Sequence, residues 1–311
     1  MKKYMLIRAV GLVIVGLLWH AVPATGATTS TSSNIWQTKP YWQAIAANEY
    51  RIPEHADAVV LMQTLVTFSA LPDPELRDTI GYETFWRWLH RSGRFTAAEL
   101  DAVRSTLTKN VLAGVGEQNT DSVFGRSFAL LFLKELATAD LKTPFLTEES
   151  FAELLALACE SLAKERDLRG YVAAKGWAHQ TAHAADLLRA LARSPRLRPE
   201  QLPIMMNAIV GRARAETTAW AWGEDARLGA VLATLAKRAD MPIMLFEKWT
   251  ASLLAENTAL WTGVFSVAQY RRVHAQSSLV TQMAALLTTS TVTPTSTEVS
   301  KLLAQTIVAL Q

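Results

Sequence analysis

Apolar residues recur at three- and four-residue spacing through nearly the whole chain from Trp36 onward. Leu154, Ala158 and Leu162 form one such row, and Leu228, Val231, Leu232 and Leu235 another. That period puts them on one face of a helix. Start signals agree with it. Asp73-Pro74-Glu75 reads as an N-cap with proline at the first helical position, and Thr96/Glu99 and Thr295/Glu298 read as capping boxes. Breaks fall at Pro72–Pro74, Gly114–Gly116, Pro144, Pro195–Pro203, Pro242 and Pro294. The run Val59 to Phe68 mixes β-branched and apolar residues and fits a strand or a buried helix. No Asn-Gly or Asp-Gly pair marks a hairpin. The expectation is an all-α fold.

A shift of 44 residues aligns Ala182–Arg193 with Ala226–Lys237, with four identities and several similar positions. This period lies in the roughly 40–47-residue range of HEAT and armadillo helical hairpins. Units of that kind bury their apolar faces only by stacking. The expected architecture is an irregular α-solenoid of stacked helical hairpins, HEAT- or armadillo-like, forming a single domain over residues 36–311.

Half of the 311 residues are hydrophobic and 19% are charged, which excludes wholesale disorder. The net charge of +3 comes from Lys2, Lys3 and Arg8, and without them the chain is neutral. The sequence pI near 9.0 is therefore no sign of nucleic-acid binding, and no nucleic-acid partner is expected. Those basic residues open a leader whose apolar run, Ala9 to Trp19, is followed by Pro23, Ala24 and Gly26. Residues 1–26 read as a cleaved signal peptide or, alternatively, an N-terminal anchor, and 27–35 as a polar tether. The mature chain is expected outside the cytoplasmic membrane, secreted or envelope-associated, and touching membrane only through an uncleaved leader. The lone Cys159 sits in an apolar helical pattern and reads as an inert buried thiol.

Residues 167–186 concentrate polar chemistry: Asp167, Arg169, Tyr171, Lys175, Trp177, His179, His183 and Asp186. A helix opened by Gly176 places His179, His183 and Asp186 within a sector about 60° wide. Trp177, Ala184 and Leu188 then form the opposite, core-facing stripe, and Ala178, Ala182 and Ala185 flank the polar face. His-x-x-x-His puts two imidazoles one turn apart, as in zinc sites. However, His179 and Asp186 stand about 10.5 Å apart along a straight helix. That exceeds the roughly 8–9 Å that one zinc can bridge. Zinc on His179 and His183 would need a third ligand, for which Glu224 and Asp225 are candidates. The alternative is an internal network in which His183 donates to Asp186 and Arg169 or Lys175 pairs with an acid. No Gly-x-Ser-x-Gly, P-loop or Gly-x-Gly-x-x-Gly pattern places a nucleophile or a phosphate cradle.

Arg169-Gly-Tyr-Val-x-x-Lys-Gly-Trp-Ala-His-x-x-Ala-His-x-Ala-Asp186 resembles the hallmark of an uncharacterised bacterial family, domain of unknown function 2785. Leu76–Asp78 with Gly81–Glu83, Val123–Ser127 and Gly223–Leu228 are similar to its weaker landmarks. The resemblance runs from about Asp73 to Thr250 and implies an all-helical fold, with no activity attached.

Glu224 and Asp225 read as acids at a helix start, with Arg227 beside them. Arg126 reads as an inter-helix or surface ion pair. Of the ten tryptophans, Trp86/Trp88 and Trp220/Trp222 stand two apart, so on a helix at most one ring of each pair faces the core. Three functional expectations follow. The first is a binding or scaffold module for a protein or envelope ligand, the second a metal-assisted hydrolase using His179 or His183, and the third an envelope-glycan binder using tryptophans.

Overall fold

The computed structural model describes residues 38–289 and 292–311. The leader, the tether and Trp36 lie outside them. Twelve α-helices occur among the described residues: α1 (Lys39–Ala47), α2 (Ala58–Phe68), α3 (Glu83–Arg91), α4 (Ala97–Val111), α5 (Ser122–Asp140), α6 (Glu148–Lys164), α7 (Gln180–Ala192), α8 (Leu202–Arg214), α9 (Glu224–Ala236), α10 (Ile243–Thr262), α11 (Val267–Thr288) and α12 (Pro294–Ala309). The all-α expectation holds. None of these helices is long and apolar enough to cross a membrane.

Local signals explain most boundaries. The ambiguous run at Val59–Phe68 is helical: the Asp57 carboxylate accepts from the Val59 and Val60 amides, and Leu61, Met62, Leu65 and Val66 are buried along α2. Asp73 caps as expected, accepting from Glu75 N at 2.9 Å and Leu76 N at 3.3 Å. The turn it starts is π-helical over Glu75–Tyr82 and runs directly into α3. The Thr96/Glu99 box forms. At α12 the box is Thr293/Ser296 instead of Thr295/Glu298, because Pro294 takes the first helical position and sets the cap one residue before itself.

Packing follows two rows. α5 packs on α7, α7 on α9, α9 on α11 and α11 on α12. Beside them α4 contacts α5 and α6, α6 contacts α7 and α8, and α8 contacts α9 and α11. α1, α2 and α3 gather around the π-turn, and α3 joins α5. α7 and α9 are both 13 residues long, begin 44 residues apart, and each follows a left-handed N-cap, His179 and Gly223. The core between the rows is apolar: Phe128, Phe132, Leu154, Leu188, Leu191 and Leu232 are all shielded from solvent. Arg77, Arg126, Glu135 and Glu165 are buried at its margin.

Candidate functional site

The conspicuous stretch does not start a helix at Gly176. Tyr171–Val172 pairs antiparallel with Gly176–Trp177, and α7 begins only at Gln180. Arg77 supplies the reason. Its guanidinium is fully buried, over the rings of Phe124 (4.1 Å) and Phe128 (4.7 Å), and donates to the carbonyls of Lys175 and Trp177. Those carbonyls would otherwise accept within a helix beginning at Gly176. Burial pushes the Arg77 guanidinium down to about 10. It remains a cation, tying the hairpin to α5.

His179 is the N-cap of α7 with φ 54°, a left-handed conformation rare for a residue with a side chain. Three contacts hold it there. Its amide donates to Arg169 O at 3.0 Å, its Nε2 lies 2.8 Å from Trp222 O, and its ring stacks on Trp177 at 4.9 Å. Trp222 and Tyr171 meet Trp177 edge-on. Gly170 makes room for this cluster, since a Cβ there would lie 2.1 Å from Trp222 Cγ. Trp177 and Trp222 are exposed, so the expected core stripe keeps Ala184 and Leu188 but not Trp177. The small flanking residues Ala178, Ala182 and Ala185 are fully buried, as their spacing predicts.

Hydrogen bonding fixes the histidine protons. A carbonyl only accepts, so His179 Nε2 carries the hydrogen and Nδ1 keeps its lone pair. Ser127 Oγ donates its single proton to Ala178 O, so the contact of 2.7 Å with His183 Nδ1 is donated by the imidazole. His183 therefore keeps its Nε2 lone pair. Ser127, its proton committed to a backbone carbonyl, is not set up as a nucleophile. Burial holds both imidazoles below the usual histidine range, His183 well below, with the neighbouring histidine adding to the effect there.

The expected His183–Asp186 bond does not form. Asp186 pairs instead with Arg227 of α9, which reaches across from the facing helix. Burial keeps the Asp186 carboxyl above its usual range in spite of that partner. His183, Asp186 and Arg227 line one cleft of about 470 Å³ with Tyr82, Lys134, Arg189 and Arg193. Arg189 and Arg193 continue the α7 face at helical spacing from Asp186. The Arg189 Nε is buried with no hydrogen-bond partner. Burial and the nearby Arg193 lower its pKa, and Lys237 is depressed by burial and then by the same two arginines. At the opposite wall Tyr82 donates to Glu135 at 2.5 Å, and Glu135 also takes His90 (2.9 Å) and Lys134 (2.6 Å). Cations exceed carboxylates in this cleft, and His183 lines it as well.

The remaining sequence candidates lie elsewhere. Asp167 is buried, paired with Arg169 at 2.6 Å and accepting Asn119 N at 2.9 Å. Lys175 pairs with Asp121 at the surface. Glu224 accepts Trp222 N at 2.9 Å at the start of α9, while Asp225 takes Ala226 N and the α11 side chains of Ser278 and Gln282. Neither acid hydrogen-bonds to a histidine, although the Glu224 charge lies near enough to His179 to oppose the effect of burial on it. Among the described residues no three His, Cys, Asp or Glu side chains converge on a possible metal position. Arg126 forms a buried two-pronged pair with Glu165, at 2.8 and 3.1 Å, and donates to Ala113 O and Gly114 O.

Sequence reasoning passes over Tyr82, Lys134, Arg189 and Arg193 as site residues, and also Glu135, which holds Tyr82 and Lys134, Ser127, which holds His183, and Arg77, which holds the hairpin. The α7 arginines were within reach, since three- and four-residue steps from His183 arrive at Asp186, Ala190 and Arg193. The others come from distant elements that no spacing connects.

No curated protein and no solved structure matches the chain. The family model described as "Protein of unknown function (DUF2785)" matches residues 111–282. The match takes in the hairpin, the cleft face of α7 and the start of α9, extends beyond Thr250, and excludes Leu76–Glu83. With more than half of its length under that match, the chain belongs to this family of unknown function.

Proposed function

We propose that the chain is a binding module that holds a small acidic ligand, a carboxylate or phosphate compound, in the cleft between α5, α7 and α9. The observation that carries this reading is the unpartnered, buried Arg189 Nε beside Arg193 and Arg227, with only Asp186 on that wall to balance them. Uncompensated guanidinium donors suit a ligand that brings its own anionic oxygens. The His183 lone pair would accept an N–H or O–H of the same ligand.

The same proposal takes the fold as an irregular α-solenoid of HEAT or armadillo kind over residues 36–311, supported by the two helix rows and the 44-residue correspondence of α7 and α9. The basic and apolar leader supports a place outside the cytoplasmic membrane. Calorimetric titration of the full chain at low salt with citrate, succinate and inorganic phosphate tests the ligand class. Saturable binding of at least one is expected, weakened about tenfold or more by Arg189→Gln, the scale of one charge-assisted bond. Absence of binding by all three, or equal binding by the variant, rejects it.

A second reading is favoured by the exposed Tyr171, Trp177 and Trp222 rings, which could stack on an envelope glycan. Co-sedimentation with insoluble envelope glycan, lost in Trp222→Ala at unchanged melting temperature, supports it; retention by that variant rejects it.

A further inference from the structure

The turn between α10 and α11, residues 263–266, forms an apolar tip. Val264 is 94% exposed, the highest value for a large apolar side chain among the described residues, and Trp261, Phe265, Val267 and Tyr270 are exposed beside it. The rings of Trp261, Phe265 and Tyr270 gather with centroids 6.1 to 6.4 Å apart. Scattered exposed apolar residues need no explanation, but a contiguous cluster of this kind marks an interaction surface.

Charge identifies its occupant. Arg271, Arg272 and His274 are exposed on the first turns of α11, and no Asp or Glu lies between Glu256 and Glu298. Glu256 is already engaged by Arg214 (3.0 Å) and Gln276 (2.8 Å), and Asp225, lining the adjoining hollow, is engaged by Ser278. A second copy of this tip would set arginines against arginines. Aromatic and aliphatic side chains at the apex with cations just behind them suit an interface of apolar chains under negative headgroups.

We propose that the α10–α11 tip docks on an anionic lipid surface. Val264, Phe265 and Trp261 enter the boundary between headgroups and acyl chains, and Arg272 faces the lipid phosphates, with Arg271, which also donates to Thr217 O, adding its charge behind them. This contact is independent of the acidic-ligand cleft, which is lined by α5, α7 and α9.

The test attaches an environment-sensitive fluorophore to Val264→Cys in the full chain. Label on Val308→Cys, at an exposed position of α12, is the reference. Both labelled proteins carry Cys159→Ser, so that the half-buried native thiol takes no label. Vesicles of phosphatidylglycerol mixed with phosphatidylcholine should shift the Val264 label to the blue and leave the Val308 label unchanged. Pure phosphatidylcholine should shift neither. Arg272→Gln should raise the vesicle concentration for half-maximal shift about fivefold, the effect of one cation near an anionic surface. No shift at the tip overturns the proposal, as does an equal shift on neutral vesicles. A blue shift without lipid that grows with protein concentration overturns it in favour of a second copy.

Discussion

Ser127 Oγ lies 2.7 Å from His183 Nδ1 while giving its own proton to the Ala178 carbonyl, so His183 is the Nδ1–H tautomer with Nε2 free. The imidazole is buried against α5, edge-on to Phe128 at 5.2 Å. Its pKa is held well below the usual value, chiefly by burial. Below about pH 6.5 the unfolded chain binds a proton at this histidine that the folded chain does not, so stability is present above that pH and lost as pH falls. His183→Asn keeps a donor toward Ser127 and removes the titration. The stability advantage of wild type over this variant should shrink below pH 6.5 by up to about 1.4 kcal/mol per pH unit. Chemical denaturation between pH 7.5 and 5 checks this, and a constant difference contradicts it.

Among the described residues Arg126 and Glu165 form the most enclosed ion pair, and Glu165 also accepts the amides of Arg166 and Asp167 that lead into the hairpin. Breaking such a pair leaves an unmatched buried charge, at a cost of about 3–5 kcal/mol. Glu165→Leu and Arg126→Met should each destabilise on that scale, and the double variant should recover much of the loss. Urea denaturation of the four proteins in a double-mutant cycle measures it. Additive losses would mean that the two side chains act separately.

Gly170 and Trp222 should be coupled. A Cβ on residue 170 meets the indole at 2.1 to 2.4 Å, so Gly170→Ala must displace the ring, at a cost of about 1–3 kcal/mol. In a Trp222→Ala background the same change should cost little. Thermal unfolding of the single and double variants decides this. An equal cost in both backgrounds contradicts the packing relationship.

Cys159 should be silent toward a thiol reagent in the folded protein, because burial raises its pKa to about 12 and leaves little thiolate at neutral pH. One equivalent should react once guanidinium unfolds the chain. A spectrophotometric thiol assay distinguishes the two states, and rapid reaction of the native protein would show the α6 packing to be wrong.

The helices were legible because their cause is local. Capping by Thr96 with Glu99 and the rows at Leu154–Leu162 and Leu228–Leu235 need only neighbours in sequence. The 44-residue register likewise located α7 and α9, whose facing pair Asp186–Arg227 joins two residues already singled out from sequence. The spacing opens α7 at Gly176 instead of Gln180 because the cause of the hairpin is remote: Arg77 takes two of the backbone carbonyls. The helical period groups His179, His183 and Asp186 on one face and says nothing of how the rest of the polar stretch is placed. Its members separate into the cleft group His183 and Asp186, the exposed rings Tyr171 and Trp177, the buried Asp167–Arg169 pair and the surface contact of Lys175. Residues adjacent in sequence part at a turn, and here Gly170 and His179 supply the turns.

The Arg189 Nε–H offers the most direct test of the acidic-ligand cleft, because in the free chain it is buried without an acceptor. Nitrogen-15 spectra of the arginine side chains, assigned through Arg189→Lys, should show this resonance moving downfield as citrate or phosphate saturates the protein. The Arg193 and Arg227 signals should shift with it, and those of the enclosed Arg126 should stay in place. Ligand-dependent shifts confined to arginines outside the cleft, with the Arg189 signal unmoved at saturation, would contradict the proposed site.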